Sequence, residues 1–181
     1  MVSLAQLNTM DRASFTAALG HLFEHSPWVA EETWPRRPFK DRNDLHAALN
    51  ATMRSAGHDR QRALIEAHPD LAGRLALAGK LTAESTREQA SAGLNQMSAA
   101  ELASFQNLNT AYRERFGFPF IICARLNARD TIRAEMERRI HHSPAEEHAA
   151  ALTEIEKIAG LRLDDLISRN HQANSTADHT D

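Results

Sequence analysis

The sequence predicts an all-α fold, a single-domain multi-helix bundle with one short extended segment rich in phenylalanine. Three observations favour this fold. Apolar residues recur at helical spacing through most of the 181 residues. Three stretches begin with a Ser-x-x-Glu capping box, in which the two side chains bind each other's backbone N–H groups at a helix start. Only residues 118–123 look extended, and one short strand cannot build a sheet.

The N-terminal half contains three predicted helices. In the first, apolar residues recur at helical spacing over residues 15–23, and Ser26-Pro27 predicts its end. The second covers residues 42–56 and is closed by a glycine. The third covers residues 59–67. It must end at or before His68, because the proline that follows disfavours helical backbone in the residue before it.

The C-terminal half contains the three capping boxes and further boundary signals. Gly117 predicts the end of the second boxed helix, and another helix is predicted to begin near Asp130. Pro144 stands at the first position of the last boxed helix, where proline is favoured. The boxes are Ser85/Glu88, Ser98/Glu101 and Ser143/Glu146.

Composition and charge exclude several function classes. The formal net charge is -3 and no stretch is strongly basic, which argues against nucleic acid as a partner. The longest apolar run, residues 118–124, is too short to span a membrane. The single cysteine, Cys123, cannot form an internal disulfide or a cysteine-built zinc site, and its apolar neighbours predict a buried thiol.

The two ends of the chain predict a domain boundary and a cellular location. Residues 170–181 are polar and lack large apolar side chains, which is typical of a disordered tail. The sequence therefore predicts one helical domain over residues 1–169 and a tail over residues 170–181. Residues 1–12 show no signal-peptide pattern, so a cytoplasmic location is expected.

His68 and Glu88 are the candidate residues for acid–base chemistry. A histidine moves protons near neutral pH, and the adjacent Pro69 makes its backbone rigid. The alternative is that His68 only caps a helix C-terminus, where its charge suits the helix dipole. Glu88 has a structural alternative as the last residue of its capping box. Gln89 beside it is a good helix former that needs no function.

A competing hypothesis rests on the segment His21-Leu22-Phe23-Glu24-His25. It matches the H-x-x-E-H zinc-protease signature, in which two histidines one helical turn apart bind zinc. Ser26-Pro27 follows at once, so the second histidine lies on the last predicted turn. A core-facing helix with histidines at its edge explains the same residues.

Two further features suggest ligand contacts. Residues 116–120 place three phenylalanines around a glycine and a proline, which predicts a non-helical wall with free backbone N–H groups. A planar ligand rich in carbonyls could stack there, although a buried connector explains the same residues. Arg162 is flanked by leucines and is suited to bind a carboxylate or a ureido carbonyl. Its alternative is an ordinary pair with Asp165.

Taken in order along the chain, these segments resemble the OHCU decarboxylase family. The resemblance covers almost the whole chain except the polar tail. Each segment is short, but the ordered set is specific. The matching segments are residues 24–31 (EHSPWVAE), 37–39 (RPF), 68–73 (HPDLAG), 81–82 (LT), 85–94, 116–122, 157–159 (KIA) and 161–163 (LRL).

The resemblance implies a carboxy-lyase that converts 2-oxo-4-hydroxy-4-carboxy-5-ureidoimidazoline (OHCU) to (S)-allantoin in urate breakdown. It implies an all-α homodimer that needs neither a metal nor another cofactor. It makes His68 the catalytic histidine and Glu88 its partner carboxylate. The substrate-contacting positions that it implies are Pro69, Ser85, Gln89, Phe118, Phe120, Ile121, Ile122 and Arg162.

Two alternatives to this enzyme stay open at the level of the sequence. One is a zinc-dependent hydrolase that uses His21, Glu24 and His25. The other is a helical interaction module without chemistry, for which the capping boxes and apolar stripes are sufficient. We expect a small-molecule substrate, and neither nucleic acid nor a membrane as partner.

Overall fold

The computed structural model describes residues 2–73 and 79–167, and the tail predicted at residues 170–181 lies outside these ranges. Within the described ranges there are nine α-helices, and β pairing is limited to one isolated bridge between Val2 and Ile167. The all-α prediction is confirmed. The helices are α1 (Leu4–Thr9), α2 (Arg12–Leu19), α3 (Trp28–Thr33), α4 (Arg42–Ser55), α5 (His58–Glu66), α6 (Ala83–Ser91), α7 (Ala99–Phe116), α8 (Arg129–Arg139) and α9 (Pro144–Leu166).

One apolar core joins helices from both halves of the chain. The longest helix, α9, buries residues along its length from Ala151 to Leu163 and packs against α4 and α5. Helix α6 differs from the others, because its two buried residues are the polar Ser85 and Gln89. A helix that turns polar side chains inward faces a polar site. No helix in the described ranges is long and apolar enough to cross a membrane.

Two of the three capping boxes are present as predicted. Ser98 caps α7, where its hydroxyl accepts the Glu101 N–H and the Glu101 carboxylate accepts the Ser98 N–H. Ser143 caps α9 in the same way, with Pro144 at the first helical position. Helix α7 ends at Gly117, whose φ of 75° is the left-handed conformation that glycine adopts without strain.

The predicted box at Ser85 and Glu88 is wrong. Helix α6 begins at Ala83, and the hydroxyl of Thr82 accepts the Ser85 N–H at 3.2 Å. Thr82 is also a good cap residue and lies three positions earlier, so the helix gains almost a turn. Ser85 is therefore inside the helix, and the Glu88 carboxylate is not used by the cap.

The predicted end of the first helix is also wrong. Helix α2 ends at Leu19, and residues 20–26 form turns in which Leu22 and Phe23 are nevertheless buried. Gly20 allows the chain to turn here, because it has no Cβ atom. A Cβ atom at this position would lie only 3.0 Å from the side chain of Pro27. Because Leu22 and Phe23 are buried, apolar residues continue at helical spacing in the sequence although the chain is not helical there.

Residues 118–123 form the extended segment that the sequence predicts, and they have no strand partner in the described ranges. The segment leads from the end of α7 into a 3-10 turn at Ala124–Leu126. Its side chains from Phe118 to Cys123 are all buried. Burial raises the pKa of the Cys123 thiol to about 11, which keeps it protonated as expected for a small core residue.

Candidate active site

His68 follows α5, and only one of its two ring nitrogens has a hydrogen-bond partner among the described residues. Its Nδ1 lies 2.9 Å from the carbonyl oxygen of Leu64. A carbonyl only accepts, so Nδ1 carries the hydrogen and Nε2 is left with a lone pair in the neutral ring. Burial lowers the pKa of His68 from its ordinary 6.5, outweighing the Leu64 carbonyl and the carboxylates of Glu24 and Glu88, which raise it. His68 thus caps α5 through one nitrogen and keeps a basic second nitrogen.

Glu88 projects from α6 to Arg162 on α9. The Nε of Arg162 donates to Oε1 of Glu88 at 2.7 Å, and Nη2 donates to Oε2 at 2.8 Å. This is the bidentate geometry in which arginine binds a carboxylate most strongly. The alternative partner Asp165 pairs instead with Arg125 at 2.6 Å.

Glu24 is a second buried carboxylate on the same guanidinium. Its Oε2 accepts from both Nη atoms of Arg162 at 3.1 Å. The hydroxyls of Thr82 and Ser85 also donate to Glu24, at 3.0 and 3.2 Å. Two carboxylates around one guanidinium leave the cluster with a net negative charge. This role of Glu24 was not predicted from the sequence.

Arg162 uses all five of its N–H groups within the protein. Nε–H and one Nη2–H bind Glu88, and the other Nη2–H binds Glu24. One Nη1–H binds Glu24, and the other faces the carbonyls of His21 and Leu22 at 3.3 and 3.4 Å. Burial lowers the pKa of Arg162, but its bonds to Glu88 and Glu24 raise it overall, so the group stays charged. A ligand that bound this guanidinium would have to replace one of these partners.

Gln89 connects α6 to the loop that carries His68. Its Oε1 accepts the N–H of Ala72 at 2.9 Å. Ala72 has a φ of 51°, a left-handed conformation that is strained for alanine and that this bond holds in place. Within the described residues the amide nitrogen of Gln89 has no acceptor, so it is available to a ligand.

The extended segment forms one wall of the site through its backbone. The N–H groups of Phe120, Ile121 and Ile122 have no acceptor among the described residues. Phe118 lies apart from this wall, and its ring packs against Phe116 and Tyr112 at centroid distances of 5.9 and 6.5 Å.

These groups surround one cavity between α6, α9, the His68 loop and the extended segment. The free space at this site, counted together with the solvent at its open mouth, is about 380 Å³. Nine of the ten residues that the sequence analysis singled out line it, and Phe118 is the exception. The lining residues are His68, Pro69, Leu71, Ser85, Glu88, Gln89, Phe120, Ile121, Ile122, Ala124, Ile158 and Arg162.

The zinc-protease hypothesis requires a helix that the molecule does not have at this place. His21, Glu24 and His25 lie in the turns after α2, where the carboxylate of Glu24 faces Arg162. His25 has a φ of 46°, which interrupts helical geometry at the second histidine. No cluster of three or more metal-ligating side chains is present in residues 2–73 and 79–167.

Comparison with known proteins agrees with this geometry. The family model described as OHCU decarboxylase matches residues 8–164. This chain belongs to the OHCU decarboxylase family. It is 43% identical over 162 residues to the OHCU decarboxylase of Haloferax volcanii, covering 90% of this chain and 94% of that one. It is 40% identical over 173 residues to the OHCU decarboxylase of Mus musculus, covering 95% and 97%.

A solved structure has the same fold. The crystal structure of (S)-allantoin synthase superimposes with a TM-score of 0.73 at 31% identity. The match covers 92% of this chain and 54% of that chain, so this chain spans about half the length of that structure.

The sequence carries a signal for Glu24 but does not show its partner. Glu24 lies in the EHSPWVAE segment that carries part of the resemblance, and it also belongs to the H-x-x-E-H pattern, which predicts zinc ligands instead. It follows directly after Leu22 and Phe23, two apolar residues of the predicted helix. A buried carboxylate needs a cation or several hydrogen-bond donors, and Arg162 is the cation that this fold supplies.

Proposed function

We propose that this protein decarboxylates OHCU to (S)-allantoin as a step of urate breakdown. As part of this proposal, roles are assigned below to His68, Glu88, Gln89, Arg162 and residues 120–122. Of the other predicted site residues, Pro69 and Ser85 line the cavity and Phe118 does not. The observation that carries it is the cavity itself. It joins a neutral, basic His68 to the Glu88–Arg162 pair and to unpaired backbone N–H groups, which is the equipment that proton transfer beside a polar heterocycle needs.

The reaction can proceed on the substrate alone. The bond between the hydroxyl-bearing ring carbon and its carboxylate breaks, CO₂ leaves, and the electron pair moves toward the neighbouring ring C=N bond. The ring nitrogen takes a proton from solvent, which gives an enol. Transfer of the enol hydroxyl proton to the ureido-bearing carbon then forms the carbonyl and the stereocentre of allantoin. Overall one proton is consumed and one CO₂ is released.

His68 is the group proposed to move the proton that sets the stereochemistry. Its Nε2 accepts the hydroxyl proton, and the resulting imidazolium returns a proton to the ureido-bearing carbon from the same side. The Leu64 carbonyl holds the ring through Nδ1 and fixes which nitrogen is basic. Delivery from one side only yields a single enantiomer.

Glu88, Gln89 and the backbone of residues 120–122 are proposed to bind the substrate and to stabilise the negative charge that develops during the reaction. Glu88 accepts a hydrogen bond from the substrate beside His68, while two hydrogen bonds from Arg162 orient the Glu88 carboxylate. The Gln89 amide binds the ring oxygen, where negative charge develops, and the N–H groups of residues 120–122 bind the ureido oxygen. The net negative charge of Glu24, Glu88 and Arg162 favours departure of a nearby carboxylate as neutral CO₂.

Substitution of His68 tests this proposal. OHCU is generated from urate with the upstream enzymes, and (S)-allantoin is followed by circular dichroism. We expect His68→Ala to slow formation of the (S) enantiomer by about 10²–10⁴-fold, so that the spontaneous, non-stereospecific decay dominates. His68→Asn gives the same loss and keeps an N–H near the Leu64 carbonyl. His58→Ala, at an exposed histidine outside the cavity, leaves the rate unchanged.

A wild-type-like rate of (S)-allantoin formation by His68→Asn would exclude His68 as the proton carrier. A wild-type protein that does not change the optical activity above the spontaneous reaction would exclude the function itself. Both outcomes are read in the same assay.

Assembly and location form a further part of the proposal. We infer a homodimer and a cytoplasmic location from the family that the sequence resembles. Light scattering of the purified protein measures the first. Fractionation of the source cells measures the second, and a monomeric mass or a membrane-bound pool contradicts the corresponding inference.

A further inference from the structure

A buried ion pair between α8 and α9 lies outside the cavity. The side chains of Arg139 on α8 and Glu147 on α9 are 4% and 0% exposed. Nε of Arg139 donates to Oε2 of Glu147 at 3.2 Å, and Nη2 donates to Oε1. Nδ1 of His142 lies 2.9 Å from the same Oε2. A buried ion pair often contributes little net stability compared with apolar residues of equal size, so stability alone explains it poorly.

Arg139 also contacts the extended segment. Its Nη1 donates to the carbonyl of Ile121 at 2.9 Å, and its guanidinium carbon lies 4.4 Å from the ring centroid of Phe120. Glu147 fixes the guanidinium, and the guanidinium fixes the backbone carbonyl. Ile121, which lines the cavity, is thus held from behind by a charged group.

Glu154 holds the other end of the same segment. Its Oε2 accepts the N–H of Cys123 at 2.9 Å, and Lys157 on the next turn of α9 binds Oε1 at 2.6 Å. Helices α8 and α9 therefore hold the segment at two points two residues apart, Ile121 and Cys123. An extended segment without strand partners has few other means of fixing its backbone.

We propose that Arg139 and Glu154 are positioning residues for the decarboxylation, because they fix the backbone of residues 120–122 so that its N–H groups meet the substrate. The inference rests on the proposed function. Neither side chain lines the cavity, and both act through Ile121 and Cys123. Displacement of binding groups by about 1 Å can cost a hundredfold, so small movements of this wall have measurable effects.

The test compares KM and kcat for substitutions at both points. Arg139→Lys retains a cation for Glu147 but lacks the fork that also binds Ile121, and Glu154→Leu removes the acceptor for Cys123. We expect each to raise KM for OHCU about 10- to 100-fold with a smaller change in kcat, because His68 lies on a separate element. Glu154→Gln keeps an acceptor oxygen and restores a KM close to wild type.

Arg54→Lys is the matched control, since Arg54 pairs with Glu156 on α9 and does not touch the segment. It leaves KM unchanged. A merely structural role for Arg139 and Glu154 reduces the amount of folded enzyme, which lowers the apparent kcat and leaves KM as in wild type. If the wild-type protein is active and Glu154→Leu lowers the apparent kcat without changing KM, the inference is overturned. Inactive wild-type protein instead overturns the proposed function.

Discussion

At the scale of single residues, His68 combines two tasks that the sequence presented as alternatives. The ring caps α5 through Nδ1, and the same bond leaves Nε2 as the basic nitrogen. Burial opposes the charged form, so the resting ring is neutral in spite of two nearby carboxylates. A proton carrier of this kind begins its cycle as a base.

The lowered pKa of His68 predicts the pH dependence of the reaction. The neutral, active form persists as the pH falls through 6.5, the ordinary value for histidine, and is lost only in more acidic solution. We expect kcat/KM, corrected for spontaneous decay, to be constant from about pH 8 to about pH 6.5 and to fall below that. An acidic limb centred above 6.5 contradicts this assignment.

The residues of the cavity differ in how far the sequence could predict them. His68 and Glu88 carry side chains suited to acid–base chemistry, but the residues alone left a helix cap and a capping box as alternatives, and the family resemblance favoured the catalytic interpretation. The role of Glu24 was not predicted, because its position depends on turns that bring residues 20–26 back to α9. Arg162 was recognisable as an anion-binding group, but its saturation by two carboxylates depends on tertiary contacts.

At the scale of secondary-structure elements, local signals located the starts of two helices, each of which begins with a serine cap and a glutamate three residues later. Ser98 and Ser143 were predicted correctly for this reason. The start of α6 was not, because Thr82 and Ser85 are both good cap residues three positions apart and the earlier one is used. The end of α2 was missed because Leu22 and Phe23 are buried in turns at spacings that a helix would also produce.

The caps give a prediction about the stability of single helices. Replacing Ser98 by alanine leaves the Glu101 N–H at the start of α7 without its acceptor. We expect Ser98→Ala to lower the free energy of unfolding by about 1 kcal/mol in urea denaturation. Thr110→Ala, at an exposed position in the interior of the same helix, changes it by less than about 0.5 kcal/mol. Equal effects of the two substitutions contradict the cap assignment.

At the scale of the whole molecule, two histidines link stability to pH. Burial is the main cause that lowers the pKa of both His68 and His148, and the nearby His58, which stacks on His148 at 4.7 Å, lowers that of His148 further. The unfolded chain binds protons at both positions near pH 6.5, while the folded chain does so only at lower pH. Stability is therefore highest above 6.5 and falls as the pH decreases toward the folded-state values.

This linkage is measurable by urea unfolding at about pH 7.5 and about pH 5.5. We expect the wild-type free energy of unfolding to be smaller at the lower pH. His148→Gln cannot take up a proton in the unfolded chain, so it loses less stability over the same interval. An equal loss in the variant and the wild type contradicts the assignment to His148.

Arg162 joins parts of the chain that are far apart in sequence, since Glu24 lies 138 residues before it and Glu88 lies 74 residues before it. Contacts of such long range close large loops and form only when most of the chain is already in place. No fragment that lacks either end of this span contains the complete charge cluster. Enzymatic turnover is therefore a reporter of complete folding, and two complementary fragments regain it only by associating.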